Sequence, residues 1–241
     1  MTRSRGSVAL APGRRQRGSL SRGEILEAGL LIARRDELTR LTMKKLAEEL
    51  GVTPMAIYRH FRDKAEVVDG VLDLFVREAA VTDHEASENR EDWQRWMLFT
   101  FRKMFSALVE TPGVMPFLST ASRFGPAAME ALDAILGVLR LAGRSERQAA
   151  DAFAVMCAYT IGSAGLASAW RAAEGPRDSE EGLRQMRLSI ESAPRLDYPN
   201  VVDGAADLAR ILQTFPFEMG LERLMQGEHQ GQPERSQTPP R

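Results

Sequence analysis

The sequence predicts an all-α protein: an N-terminal three-helix unit with a helix-turn-helix, followed by a larger helical body. Three observations predict this. Apolar residues recur at helical spacing, as in Ile25, Ala28, Leu31, Ile32 and again in Val67, Val68, Val71, Leu72, Phe75, and no stretch alternates as a strand would. Capping signals recur as well: Ser21 with Glu24, Asp63 with Glu66, and Ser145 with Gln148 each place an N-cap residue three positions before an acid or amide. The third is the stretch GVTPMAIYRHF at 51–61, where a turn glycine and a Thr-Pro pair precede a tyrosine, an arginine and a histidine.

The elements follow in order. Residues 1–20 hold Arg3, Arg5, Arg14, Arg15 and Arg17 and no acid, and read as a disordered basic arm. Ser21 caps a first helix ending near 35–37. Thr42 opens a second, with Met43, Leu46, Ala47 and Leu50 inward, and Gly51 stops it where a left-handed residue is needed. Thr53 is expected to cap a third helix with Pro54 at its first position, where a missing N–H costs nothing. Asp63 and Glu66 start a fourth. A polar connection, VTDHEASENRED, then leads to a helix over 92–110, stopped by Thr111-Pro112-Gly113. A short segment over 114–122 precedes a helix over 126–141, closed by Gly143. A long helix from Ser145 reaches about 173, ended by Gly175-Pro176. Further helices are expected over 180–191, 202–213 and 217–226, and the tail 228–241 is polar and read as disordered. The expected domains are therefore an arm (1–20), a head with its connecting helix (21–77), a body (78–227) and a tail (228–241).

At 241 residues the chain can bury a sizeable core. Its single cysteine, Cys157, excludes an internal disulfide framework and fits a reducing cytoplasm. No apolar run is read as long enough to span a bilayer, and no apolar segment follows the N-terminal arginines as a secretory signal requires. No membrane partner is expected. Charge is segregated: residues 1–64 hold 14 Lys+Arg against 7 Asp+Glu, and the rest hold 18 against 26. A basic end with an acidic remainder suggests that the end meets a polyanion.

The second and third helices carry the requirements of a helix-turn-helix. Ala47 is small where the helices cross, Gly51 makes the turn, and Val52, Ile57 and Phe61 face a small core. That leaves Pro54, Met55, Ala56, Tyr58, Arg59 and His60 outward. Arginine pairs with guanine in the major groove, and alanine or methionine touches a thymine methyl. Tyr58 and His60 suit phosphate oxygens, as do Lys44 and Lys64 near neighbouring helix starts. The candidate DNA-binding set is Thr42, Lys44, Thr53, Pro54, Met55, Ala56, Tyr58, Arg59, His60 and Lys64. A helical adaptor for protein partners would leave this face and the basic arm without a task. Catalysis is not expected: the sequence has no metal-ligand spacing, no phosphate loop and no serine or cysteine with a plausible histidine base, and no cofactor is implied.

The stretch LTMKKLAEELGVTPMAIYRHFRDKAEVVDGV resembles the N-terminal DNA-binding domain of the tetracycline-repressor family. Thr42, Leu46-Ala47, Gly51-Val52, Ile57-Tyr58, His60-Phe61 and Lys64 carry the resemblance. The body is similar, more weakly, to the tetracycline repressors' C-terminal domain, at Asp92-Trp93-Gln94, in the long helix after Ser145, and at Phe217-Glu218-Met219-Gly220-Leu221-Glu222. The resemblance implies a homodimer on a palindromic double-stranded operator and a small organic effector in the body. The small residues Ala158, Gly162, Ala164, Gly165, Ala167, Ser168 and Ala169 suit close helix packing, and with Phe217, Leu221 and Leu224 they are expected to form the dimer contact. The tetracycline repressors hold a drug–magnesium complex with body histidines. Here the body and tail carry only His84 and His229, so a different, apolar effector is expected. Candidate ligand-binding residues are Trp96, Thr100, Met104, Phe117, Phe124, Met156 and Tyr159, with Met97 and Trp170 in the same aromatic and methionine set.

Overall fold

The computed structural model describes residues 20–35, 38–79, 92–118, 124–172, 180–213 and 216–227. The expected arm (except Leu20), the polar connection up to residue 91, the Gly175-Pro176 stop and the tail lie outside the described residues. Within them every regular element is helical.

Helix α1 (Arg22–Arg34) begins with the reciprocal box foreseen. Glu24 N–H donates to Ser21 Oγ at 3.2 Å, and Ser21 N–H donates to the Glu24 carboxylate at 2.8 Å. Helix α2 (Met43–Leu50) is capped by Thr42, whose Oγ1 accepts from Lys45 N–H at 3.0 Å. Gly51 ends α2 at φ 64°, ψ 33°, the left-handed region that a side chain would strain. Helix α3 (Pro54–Tyr58) has five residues, so Arg59 and His60, read as outward residues of this helix, lie just beyond its end. Its carbonyl at Ile57 accepts from both His60 and Phe61 N–H, at 2.8 and 3.1 Å, which tightens the chain into a turn and sends Phe61 into the core. Thr53 makes no side-chain cap bond. Helix α4 (Lys64–Glu78) is capped by Asp63, but the return bond of the expected box is missing. The Glu66 carboxylate instead accepts from Arg62 N–H at 2.8 Å and pairs with Arg22 at 3.1 Å, because two guanidinium groups compete for it.

The remainder comprises α5 (Trp93–Glu110), a 3-10 turn over Pro112–Val114, α6 (Met115–Leu118), α7 (Pro126–Leu141) and α8 (Glu146–Ala172), then α9 (Glu180–Glu191), α10 (Pro199–Asp203), α11 (Ala205–Gln213) and α12 (Phe217–Gly227). The single helix expected over 202–213 is two, broken at Gly204. α8 packs along α5 and is flanked by α7 and α12, whereas α9, α10 and α11 pack mainly on one another. Residues Glu146–Arg171 of α8 are long and apolar enough to cross a membrane by composition, contrary to the sequence reading. Alanines and glycines interleaved with Ile161, Leu166 and Val155 produce that hydropathy. The helix packs on α5, α7, α12 and the 3-10 turn and buries the hydroxyls of Thr160 and Ser163.

Two hydrophobic cores result. One contains Ile25, Ile32, Leu38, Leu46, Ile57, Phe61, Val67 and Val71, and continues into Leu108, Val114 and Ala164 of the later helices. The other gathers Trp93, Trp96, Met97, Phe101, Leu139, Met156 and Leu221. Met104 and Phe105 border both. Burying one such Leu, Ile or Phe contributes about 1.5–3 kcal/mol relative to leaving it in water.

Candidate DNA-reading surface and effector site

The short α3 presents its outward residues because Ile57 anchors the opposite side, fully buried. Met55 is 66% exposed and Tyr58 48% exposed, while Pro54, Thr53 and Arg59 are also exposed and Ala56 is half-buried. Arg59 makes no side-chain hydrogen bond or ion pair among the described residues, so its guanidinium is available. The cations around it are committed. Arg22 donates to the His60 carbonyl, pairs with Glu66, and lies with its guanidinium carbon 4.0 Å from the centre of the Phe61 ring. Arg62 also pairs with Glu66, at 3.3 Å. Together the Arg62 N–H and the Arg22 side chain hold the Glu66 carboxyl below its usual range. Lys64 is half-buried and donates to the Thr39 carbonyl at 3.2 Å. Lys44 and Thr42 are exposed at the start of α2, with Lys44 only loosely paired to Glu48 at 3.9 Å. His60 is half-buried in the turn after α3. Sequence reasoning missed the clamp made by Arg22, since a lone arginine at a helix start carries no sign of a partner 38 residues away.

The seven candidate ligand residues do not all converge. Trp96, Thr100 and Met156 are buried, Met104, Phe117 and Tyr159 partly so, and Phe124 is 63% exposed at the entrance to α7. Trp96 and Met156 belong to the second core, and Phe117 packs on the first. Among the described residues the hydroxyls of Thr100, Thr111, Thr160 and Ser163 are buried, as are the indoles of Trp93 and Trp96 and one guanidinium nitrogen of Arg144. Thr160 and Ser163 donate to carbonyls one turn back, at 2.7 and 2.5 Å. Thr100 Oγ1 is buried without a partner among the described residues. Tyr159 takes part in an aromatic stack that ties three helices together. The Phe105 and Phe217 rings lie 4.3 Å apart and the Tyr159 and Phe217 rings 5.6 Å apart, and Tyr159 Oη donates to the Phe217 carbonyl at 3.2 Å. Burial pushes the Tyr159 phenol above its usual pKa. An open cleft of about 440 Å³ lies against this stack, lined by Arg102, Phe105, Ser106, Pro216, Phe217, Glu218 and Met219, with Arg102 and Glu218 paired across it at 2.7 Å.

The expected dimer contact divides. Phe217 and Leu221 are buried in this chain's own core because α12 folds back on α5 and α8, and Ala164 is buried as well. The outward face of α8 is instead Ala154, Val155, Ala158, Gly162, Leu166 and Ala169, with Leu166 48% exposed, beside Met219 of α12.

Comparison with known proteins agrees with this architecture. The family model for bacterial regulatory proteins of the tetR family matches residues 25–71, and the tetracyclin repressor-like C-terminal domain matches residues 85–230. The HTH-type transcriptional repressor DrrR1 of Streptomyces coeruleorubidus is 24% identical over 90% of this chain and 80% of its own length. The tetracycline repressor protein class A from transposon 1721 of Escherichia coli is 28% identical over 84% of this chain and 88% of its own. The crystal structure of the Streptomyces coelicolor TetR family protein ActR in complex with actinorhodin has the same fold, with a TM-score of 0.73, 21% identity, and coverage of 88% of this chain and 98% of that one. With both family models matched and the helix-turn-helix, central long helix and helical body in place, the chain belongs to the tetR family of bacterial regulatory proteins, transcriptional regulators that bind operator DNA as homodimers and respond to small molecules.

Proposed function

We propose that the protein is a cytoplasmic repressor, without catalytic activity, released from a palindromic operator by a small, uncharged, largely apolar effector. Residues 21–77 form the DNA-binding head and 78–227 the effector-binding and dimerising body, with the basic arm 1–20 following the DNA backbone. The observation that carries the reading is the division of labour around α3. Arg22, Arg62 and Lys64 are held by partners in the chain, whereas Arg59 projects free beside exposed Met55 and Tyr58. Arg59 then reads a base edge, Lys44, Tyr58 and His60 hold phosphates, and Lys64 holds one with the ammonium donors it does not give to Thr39.

On the body side, the buried threonine and serine hydroxyls among the described residues are set in methionine and aromatic walls. Such an interior accepts a neutral molecule bearing a hydrogen-bonding oxygen and penalises a charged one. The cleft beside Phe105 and Phe217 is the proposed way in, leading to Met104, Thr100, Met156 and Tyr159. The repressor proteins among the relatives, and the ligand-bound ActR structure, support this reading. For a hundredfold release the effector must favour the released state by about 2.7 kcal/mol, and operator DNA must weaken effector binding by the same factor. The test is titration of a duplex from upstream of the protein's own gene, at two salt concentrations, against random-sequence duplex. Preferred, salt-dependent binding is expected. Equal affinity for both duplexes would sink the proposal.

A further inference from the structure

Helix α7 lacks a cap of its own. It opens Gly125-Pro126, so its N-cap residue has no side chain to accept an N–H and Pro126 has none to donate. The first donor in need of a partner is Ala127 N–H, and it donates at 2.8 Å to Asp73 Oδ1, a side chain of α4 lying 54 residues earlier in the chain. The other carboxylate oxygen, Oδ2, is held by Arg77 one turn along α4, at 3.1 Å, which fixes the rotamer. The Asp73 side chain is only 15% exposed. A Cβ at position 125 would collide with Asp73 Oδ1, so the glycine is the space into which α4 reaches.

A second contact joins the reading head to the body nearby. Gly113, in the turn after α5, is packed against the α1 backbone so closely that a Cβ there would lie 2.6 Å from the Ala33 carbonyl oxygen. The two contacts differ in kind. The Gly113 contact is backbone on backbone, with no slack and no charge. The Asp73 contact is one charge-assisted hydrogen bond on a helix N-terminus, where a carboxylate is favoured and which can break and re-form as a unit.

We propose that Asp73 is the positioning residue that sets the angle of the reading head: the head turns about the Gly113–Ala33 contact, and the bond from Ala127 N–H to Asp73 latches it in one orientation. An effector that displaces α7 acts on DNA binding by loosening this latch. The inference rests on the regulatory reading given above and adds the residue through which the two halves communicate. An unlatched head samples several orientations, and apparent operator affinity falls in proportion to the fraction that remains competent.

The test uses the full-length dimer without effector, spin-labelled at Glu48→Cys in a Cys157→Ala background, with an operator duplex selected from random sequence by the wild-type protein. Wild type and Asp73→Asn, which keeps an acceptor oxygen, are expected to show one narrow head-to-head distance. Asp73→Ala should broaden it and lower operator affinity about five- to tenfold, with helix content and dimer unchanged. Gly125→Ala, which evicts the carboxylate from the other side, should do the same and decides the matter if Asp73→Ala does not fold. If the first-turn amides of α7 lose hydrogen-exchange protection in Asp73→Ala while distance and affinity stay as in wild type, Asp73 is a local helix cap and the latch is wrong. Failure of the regulatory reading would look different, since wild type itself would then select no preferred duplex.

Discussion

Replacing Thr100 by valine should make the ligand-free protein more stable, which is the reverse of the usual outcome for a core substitution. Thr100 is 3% exposed in the middle of α5, and its hydroxyl has no partner among the described residues. A buried, unsatisfied hydroxyl costs about 1–3 kcal/mol, and valine replaces it with a methyl of nearly the same shape. Threonine and valine have similar helix propensities, so the backbone contributes little to the difference. The expected gain is about 1–2 kcal/mol, which for a chain of this size raises the melting temperature by roughly 2–8 °C. Melting curves must be compared at one protomer concentration, because a dimer's stability depends on it. Thr100→Ser keeps the hydroxyl and loses a methyl, and should fall by about 0.8 kcal/mol. The valine variant should also lose affinity for any effector that offers an oxygen to this position. A melting temperature that stays level or drops in Thr100→Val would show that the hydroxyl is already satisfied, and the argument for an oxygen-bearing effector would lose its basis.

Other perturbations separate the parts of the molecule. Arg59→Ala should cost about 1–3 kcal/mol at one operator position and leave binding to other positions unchanged, whereas Lys44→Ala should weaken all duplexes alike and flatten the salt dependence. A uniform loss in Arg59→Ala, read across a panel of single-base operator variants, would remove its reading role. Leu166→Glu or Gly162→Arg, on the outward face of α8 where a Cβ at 162 meets nothing within 4 Å, should give folded monomers by sedimentation. A dimer that survives both places the contact elsewhere. Burial pushes the Cys157 thiol up to about 12, so its thiolate is scarce at pH 8 and labelling of this half-buried side chain by a thiol reagent should be slow. The stability this thiol contributes is complete below the unfolded thiol's pKa, near 8.5, and is lost as pH rises towards 12. Rapid labelling of the folded protein at pH 8 would contradict that burial.

Local chemistry made much of this fold legible. Ser21 with Glu24, Thr42, Gly51 and Ser145 with Gln148 act within a few residues of themselves, and each behaves in the structure as its type requires. What could not be read depends on distant partners. Glu66 left its expected box for the Arg62 N–H, four residues back, and for Arg22, which lies far away in sequence. Phe217 and Leu221 looked like interface residues, but apolar periodicity does not say which side of a helix meets its own chain and which meets a second copy. The aromatic and methionine set suggested one pocket, yet Phe124 stands in solvent and Tyr159 is tied into a stack, since hydrophobic character alone does not distinguish a wall from a filled core. The one sign of the Asp73 contact was negative: a predicted helix opening Gly-Pro with no residue able to cap it.

The brevity of α3 bears on how such a protein could acquire a new operator. A single turn of helix does not hold itself together in water, so the shape of the reading segment is imposed from outside: by the Gly51 turn, by Ile57 and Phe61 beneath it, and by Arg22 gripping its far end. Met55, Tyr58 and Arg59 therefore contribute little to the fold and are free to change with little loss of stability. Swapping those three side chains, with Ile57, Phe61 and Arg22 retained, should redirect the protein to different base sequences while its melting temperature hardly moves. With the reading roles proposed above, recognition and folding fall to different residues of the same five-residue helix and its turn, and drift in one need not be corrected in the other.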